Sequence, residues 1–414
     1  MNKPLVTIFT PAYNVENYIT VCIESVLNQT YNCFEWILVD NGSTDDTKSI
    51  IQEYAKKDKR IKRVRFPKNT DGFAQDMITR FGNGRYVAKL DSDDFWEDQY
   101  LEKLVNAMEE NEADLACCKA IVLDEIRNER HCHGFRKYEG LVTAENLAEL
   151  YAEIETDMNT YWAKLMKRDL FIKAHNACKE FYRVKDRVRY AGDTVFMYHY
   201  LSECRKSVFL TDKMYFYRLH RKNASKRLAD IGVAEDCASS FEAKRSVLEK
   251  YGAWNLKNAS LVYQAFWRNI DEFLRNIVKN SEIENCRKAE LIGEALSGSR
   301  TVRIRKEYCD EYIRNILSAH TAWCYMNAGQ ECGDVFRKML VTLDPDLFSE
   351  MTKEQCCFLT SEKALLSLLI LGEREEALNH LEKLHEEGGG RECGIYSYFY
   401  KRLIEKREGM RYEL

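Results

Sequence analysis

Residues 5–57 read LVTIFTPAYNVENYITVCIESVLNQTYNCFEWILVDNGSTDDTKSIIQEYAKK. Leu5–Phe9 is a short apolar run, Tyr18–Leu27 places Ile19, Cys22, Ile23, Val26 and Leu27 at helical spacing, and Trp36–Val39 is apolar again. Short apolar runs suit buried strands, and spacings of three and four suit one face of a helix. Strand, helix and strand within about fifty residues predict parallel strands joined by a right-handed crossover. The alternation continues with a helix over Thr44–Tyr54 behind Ser43 and Thr44 as cap candidates, and a strand at Val64–Phe66. A helix from about Gly72 to Phe81 and a strand at Tyr86–Leu90 complete it. The expected class is α/β, a mostly parallel central sheet with helices on both faces.

In such sheets ligands sit beyond the carboxyl ends of the strands. Here those ends carry Thr10-Pro11-Ala12-Tyr13-Asn14, Asp40-Asn41-Gly42-Ser43 and Asp91-Ser92-Asp93-Asp94. Asp91 and Asp93 would repel each other in a crevice unless a hard divalent cation joined them, and such an ion keeps positions open for phosphate oxygens. Read blandly, the same acidic run is a loop leading into a helix near Gln99–Glu110. Asp40, followed by a glycine turn, could accept a hydrogen bond from a base or a ribose, or could simply close a strand-to-helix turn.

The whole chain has 414 residues, enough for two or three domains. Its 62 Lys plus Arg nearly balance 66 Asp plus Glu, so nothing general drives it toward nucleic acid. Bilayer crossing takes roughly 18 apolar residues. The longest apolar stretch, Ala364–Leu371, contains Ser367. The opening Met-Asn-Lys-Pro has no signal-peptide pattern, so a cytoplasmic protein is expected, at most peripheral at the inner membrane face. The 15 cysteines are odd in number and without a regular framework, and read as reduced thiols. His131-Cys132-His133 reads as a polar loop rather than a metal site.

Three of the 4 prolines lie in the first 67 residues, and from about Ile231 the pattern is almost wholly helical. Helices are expected over Val233–Tyr251, Leu256–Val278, around Ile292, and over Arg305–Met326, Val335–Leu343, Glu362–Leu371, Glu373–Glu387 and Ile395–Glu408. The hairpin Ala364–Glu387 would suit a tetratricopeptide-like pair, although no 34-residue period runs through the region. Domains are therefore expected at 1–228 and 229–414. The aromatic stretches Tyr263–Phe273 and Tyr396–Tyr400 read as core, and the helical part could dimerise, recognise an acceptor or dock at a membrane.

Taken in order, Thr10–Asn14, Ser25–Tyr31, Glu35–Asp46, and Gly84-Arg85-Tyr86 leading to Asp91–Asp94 resemble successive signatures of glycosyltransferase family 2. Trp162–Leu165, Gly192–Phe196 and Tyr215–His220 are similar to later motifs of its bacterial members. The resemblance covers residues 4–228. It implies a GT-A fold and an inverting, metal-dependent transfer of a sugar from a nucleotide-diphosphate donor, with a UDP-sugar favoured. By position, Thr10, Pro11, Ala12, Tyr13 and Asp40 would hold the nucleoside. Asp91, Ser92 and Asp93 would face ribose, diphosphate and a Mn2+ or Mg2+ ion, with His220 as a further ligand. Asp76 and Arg218 would reach the donor, and Asp193 falls where the family's general base stands. The acceptor would be a glycan or a lipid-linked one.

Three positions depart from the family pattern: Asn41 replaces a second carboxylate, Gly192 a glutamate, and Gln75 an arginine. Two basic stretches, Lys56–Arg65 and Lys179–Arg189, read as a solvated edge or membrane contact and as surface or an acceptor rim. Two other classes make different demands on the sequence. A nucleotidyltransferase would show a glycine-rich basic loop at the first strand, where Thr10–Asn14 has no Gly, Lys or Arg. A degenerate transferase acting as a scaffold would neither bind nor hydrolyse a nucleotide sugar.

Overall fold

A computed structural model describes residues 3–69, 75–133, 137–182, 190–220, 232–280 and 283–307. The strands are β1 (Val6–Ala12), β2 (Phe34–Asp40), β3 (Ile61–Arg65), β4 (Tyr86–Lys89), β5 (Phe95–Trp96), β6 (Leu115–Asp124), β7 (Glu129–Cys132), β8 (Gly140–Thr143), β9 (Lys164–Lys167) and β10 (Lys206–Leu219). The helices are α1 (Ile19–Leu27), α2 (Thr47–Lys57), α3 (Asp76–Phe81), α4 (Tyr100–Glu110), α5 (Leu147–Ile154), α6 (Arg168–Tyr182), α7 (Gly192–Glu203), α8 (Val233–Lys250), α9 (Leu256–Lys279), α10 (Asn285–Ser297) and α11 (Ser299–Glu307).

The strands form one sheet in the order β3-β2-β1-β4-β9-β6-β10-β5, with β7 beside β6 and β8 beside β10. The first four are mutually parallel, as the alternation predicts. Beyond them the sheet is mixed, because β9 enters antiparallel between β4 and β6. The α/β class holds. Its core joins α1, α4 and the sheet through Ile8, Trp36, Tyr86, Leu104 and Tyr215, all fully or almost fully buried.

Strand β1 runs three residues past the expected Phe9. Its pairing with β4 stops at Phe9, while pairing with β2 continues to Ala12. Pro11 therefore sits where no ladder on the β4 side asks for its missing N–H. Helix α2 begins at Thr47, later than the expected Thr44, and no side chain caps it. Ser43 and Thr44 serve elsewhere: the Asn14 N–H donates to Ser43 Oγ at 3.1 Å, and the Thr44 N–H donates to Asn14 Oδ1 at 2.8 Å. These bonds tie the β1 end to the β2 end.

His131-Cys132-His133 is not the polar loop expected. His131 and Cys132 belong to β7, opposite Val122 and Ile121. Successive strand side chains face opposite ways, so the run does not converge on an ion. β3 lies at the sheet edge with Arg63 and Arg65 exposed. Charge of that kind shields an open edge from pairing with another chain. Lys179–Arg189 falls mostly outside the described residues.

The chain divides into two compact units, one of residues 1–227 with 239–262, the other of 228–238 with 263–414. In the first, Lys244 pairs with Glu155, and the Tyr251 hydroxyl meets the backbone oxygens of Leu201, Ser202 and Cys204. In the second, the described residues form helices whose core holds Phe266, Trp267, Ile270, Phe273 and Leu274. Tyr263–Phe273 thus packs as core, as its composition predicts. The elements expected beyond residue 307 lie outside the described residues.

Candidate active site

Strand β4 delivers the acidic loop. Asp94, the last residue of Asp91-Ser92-Asp93-Asp94, is buried and anchors the loop: its Oδ2 accepts the Tyr215 hydroxyl at 2.7 Å and its Oδ1 accepts the Arg218 N–H at 2.8 Å. The Tyr215 oxygen also accepts the Asp91 N–H at 3.3 Å. One tyrosine of β10 therefore holds both ends of the turn. Ser92 is buried.

Asp93 and His220 meet directly, with Oδ2 and Nε2 at 3.0 Å. The imidazole stacks on Tyr18 at 4.6 Å between centroids. Burial, then the charge of Asp91, raises the Asp93 carboxyl above the usual carboxylate range. Arg218 also leans on this corner. It approaches Glu125 at 3.3 Å and lies over the rings of Phe95 and Tyr18 at 5.0 and 5.5 Å.

Asp91 turns the other way, to an ion pair with Lys89 Nζ at 2.9 Å. Lys89 ends β4 and its ammonium lies 4.0 Å from the centre of the Tyr161 ring. Burial alone would lower its pKa; Asp193 and Asp91 more than offset this and hold it well above the usual lysine range. Asp193 opens the first turn of α7, where the exposed N–H groups favour an anion. Burial raises its carboxyl, against the opposing charge of Lys89. The charges of Asp91 and Asp193 therefore both act on one lysine. Tyr161, pushed up to about 12 chiefly by burial, also receives a hydrogen bond from Gln75 Nε2 at 2.9 Å.

The other expected residues stand apart from this cluster. Asp40 is fully buried: its Oδ1 accepts the Ser43 N–H at 2.9 Å, and Oδ2 lies 3.4 Å from Arg65 Nε. Gly42 is required there, since it has φ of +86° and a Cβ would fall 2.6 Å from the Lys68 backbone. Thr10 is buried with its hydroxyl accepting the Trp36 indole N–H at 3.0 Å, and Ala12 is buried beside it. Their side chains hold the sheet, leaving half-buried Pro11 and exposed Tyr13 to face a ligand. Asp76 is committed to His175 at 2.6 Å.

Among the described residues no three of His, Cys, Asp and Glu are grouped closely enough to hold a metal ion. Asp93 and His220 are together, and Asp91 is drawn toward Lys89. Sequence reasoning missed Lys89, Tyr161, Tyr215 and Glu125. A lysine interrupting the otherwise apolar Tyr86–Leu90 was a usable signal for the first. Tyr215 opens the Tyr215–His220 motif, whereas Tyr161 and Glu125 had no signal, because a lone tyrosine or glutamate outside the strands is ordinary.

Residues 7–174 match the model of glycosyl transferase family 2. The glycosyltransferase EpsJ of Bacillus subtilis is 27% identical over 250 residues, which are 60% of this chain and 71% of that protein. TuaG of B. subtilis, named for teichuronic acid biosynthesis, is 44% identical over 109 residues, 26% of this chain and 43% of that one. The crystal structure of S. aureus TarS 1-349 in complex with UDP-GlcNAc superposes with a TM-score of 0.44 at 16% identity, covering 92% of each chain. The protein is a glycosyltransferase. Its residues 7–174 match the family 2 domain.

Proposed function

We propose that the protein is an inverting glycosyltransferase that moves a sugar from a nucleotide-diphosphate donor, a UDP-sugar in the favoured case, to a glycan or lipid-linked acceptor of a surface polymer. The catalytic domain is residues 1–228, followed by the helical domain 229–414. The names of relatives support the acceptor class, TuaG for teichuronic acid biosynthesis and a chondroitin synthase of Escherichia coli. Among the described residues no helix is long and apolar enough to cross a membrane.

The observation that carries this reading is the end of β4, where Asp91 pairs with Lys89 at 2.9 Å and the charge of Asp193, in the first turn of α7, also acts on Lys89. Inversion needs one displacement. The acceptor oxygen forms its bond to the anomeric carbon as the carbon–diphosphate bond breaks, and the hydroxyl proton passes to a carboxylate. Asp193 is that carboxylate in our reading, and burial raises it above the usual carboxylate range, which makes it a stronger base. Pro11 and Tyr13 border the nucleoside, and Arg65 presents the cation that Asp40 orients toward it. Arg218 lies beside the acidic loop, where positive charge favours the leaving diphosphate.

A divalent ion fits the side chains present. Asp93 and Asp91 are oxygen donors and His220 an imidazole, a set that suits Mn2+ or Mg2+. Burial and the charge of Asp91 raise the Asp93 carboxyl, an effect a bound cation would offset. When bound, the ion would neutralise charge on the diphosphate. The test is hydrolysis of a panel of UDP-sugars and other nucleotide sugars by the full chain, with and without Mn2+. Turnover that Asp193→Asn and Asp93→Ala abolish supports the reading; no hydrolysis of any donor refutes it.

A further inference from the structure

We propose that the open β3 edge of the sheet is a docking surface for an anionic lipid bilayer. Residues 56–68 hold eight Lys plus Arg against a single acid, Asp58, in a chain whose formal net charge is -4. Strand β3 ends the sheet order, with β2 as its one strand partner among the described residues. Successive side chains of a strand alternate in direction, so Arg63 and Arg65 put charge on one face of this edge and Lys62 on the other. The charge continues beyond the strand. Lys56 and Lys57 close α2, and Lys59 follows them. On the other flank the Lys62 ammonium donates to the Phe81 backbone oxygen at 3.3 Å, which sets the end of α3 beside the edge. There the Arg80 guanidinium lies over the Phe81 ring at 5.2 Å, and Phe81 is 38% exposed.

Part of this charge is answered within the protein: Lys57 pairs with Glu53, Arg60 with Asp58, Lys62 with Glu35 and Arg65 with Asp40. Lys56, Lys59, Arg63 and Lys68 are exposed, and no ion pair among the described residues takes them up. Blunting an open edge accounts for charge on β3 itself. It does not account for Lys56 and Lys59, which lie outside the strand, or for an exposed aromatic ring among cations. A bilayer with acidic lipid uses both. Each Lys or Arg near such a surface strengthens binding about fivefold, and an aromatic ring settles at the headgroup boundary. An acidic glycan would be gripped by cations converging on one chain; here they spread along an edge and onto both its faces, which suits a plane met edge-on. Arg65 stands at the carboxyl end of β3 opposite Asp40, so docking brings the ends of β2 and β3 to the lipid surface. That this delivers a lipid-linked acceptor rests on the proposed function; the docking itself does not.

Partition of the full chain, without nucleotide, is measured by co-sedimentation with vesicles of phosphatidylcholine alone and of an equal mixture with phosphatidylglycerol. The wild type is expected on the mixed vesicles at low salt, released as salt rises, and absent from the neutral ones. Lys56→Gln, Lys59→Gln and Arg63→Gln together are expected to weaken partition about 100-fold. The same replacement at three exposed lysines of other elements, Lys173, Lys213 and Lys250, is expected to weaken it by about twofold or less. Phe81→Ser is expected to cost about tenfold while leaving the salt dependence unchanged. Lys56, Lys59 and Arg63 lie outside the proposed site, so their triple variant is expected to hydrolyse a soluble nucleotide sugar at the wild-type rate. If that variant does not fold, each replacement is made singly, with about fivefold expected from each. No partition at low salt, equal partition onto neutral vesicles, or equal losses in the two triple variants overturns the proposal. Binding of a soluble polyuronate through the same three residues, without partition onto vesicles, assigns the edge to an acidic glycan and overturns it as well. A wild type that sits on acidic vesicles but hydrolyses no nucleotide sugar loses the proposed function and keeps the docking edge. One that transfers sugar but ignores the vesicles loses only the docking edge.

Discussion

The two strands that flank β1 in this sheet each end near an aspartate paired with a basic residue, and they do so with opposite burial. After β2, the Asp40 side chain is 0% exposed and Arg65 is 40% exposed. At the end of β4, Asp91 is 27% exposed and Lys89 only 9%. A ligand arriving at β2 therefore meets a cation whose counter-charge is locked in the turn. One arriving at β4 meets a carboxylate whose counter-charge lies behind it. The same pair of residue types becomes a structural clamp in one place and a reactive edge in the other, because burial decides which partner solvent and substrate can reach.

The largest effect expected from breaking this contrast lies on the reactive side. Asp193→Asn should reduce kcat for transfer by about 10²- to 10⁴-fold, the range for loss of a general base, with a melting temperature close to wild type. Asp91→Asn should cost about 10- to 10³-fold in the same assay through loss of charge opposite the diphosphate. Replacing Asp40 should reverse the balance. Asp40→Ala leaves the Ser43 N–H and Arg65 without their acceptor, and urea unfolding should show a loss of about 1–3 kcal/mol.

The pH dependence sharpens the same comparison. Asp193 must be ionised to accept a proton, and burial raises its carboxyl. The rate should fall as pH drops through an inflection above the ordinary aspartate value of about 3.9, and Asp193→Asn should flatten that limb. Glu35 behaves in the opposite sense. Burial would raise it, but the Asn83 N–H, Lys62 and Thr7 bind its carboxylate and lower it below the usual range. A depressed folded-state pKa contributes stability above the unfolded value, and that stability is lost as pH falls through the folded one. Chemical denaturation across the acid range should show this loss in the wild type and less of it in Glu35→Gln. This is the smallest effect, because Glu35 shares its load among three partners.

Much of the fold was legible because apolar period is a local property. Leu5–Phe9, Tyr18–Leu27 and Trp36–Val39 announced parallel strands around a helix, and β1, α1 and β2 form there. The mixed half was not legible, since whether β9 runs parallel or antiparallel depends on which neighbours it meets. Among site residues, the adjacency of Asp91 and Asp93 was visible in their spacing. The commitment of Thr10 to Trp36 and of Asp76 to His175 was not, because those partners lie 26 and 99 residues away.

The order of residues by itself determined the strand and helix periods, the polar strand ends and the family 2 character of residues 7–174. Tertiary structure alone decided that Lys89 would be buried against Asp91, that Tyr215 would hold the acidic loop, and that Asp40 would be sealed away. The physical reason is that period and composition are set by each residue and its near neighbours. A charge acquires its chemistry only from what is packed around it, and folding brings those neighbours from distant parts of the chain.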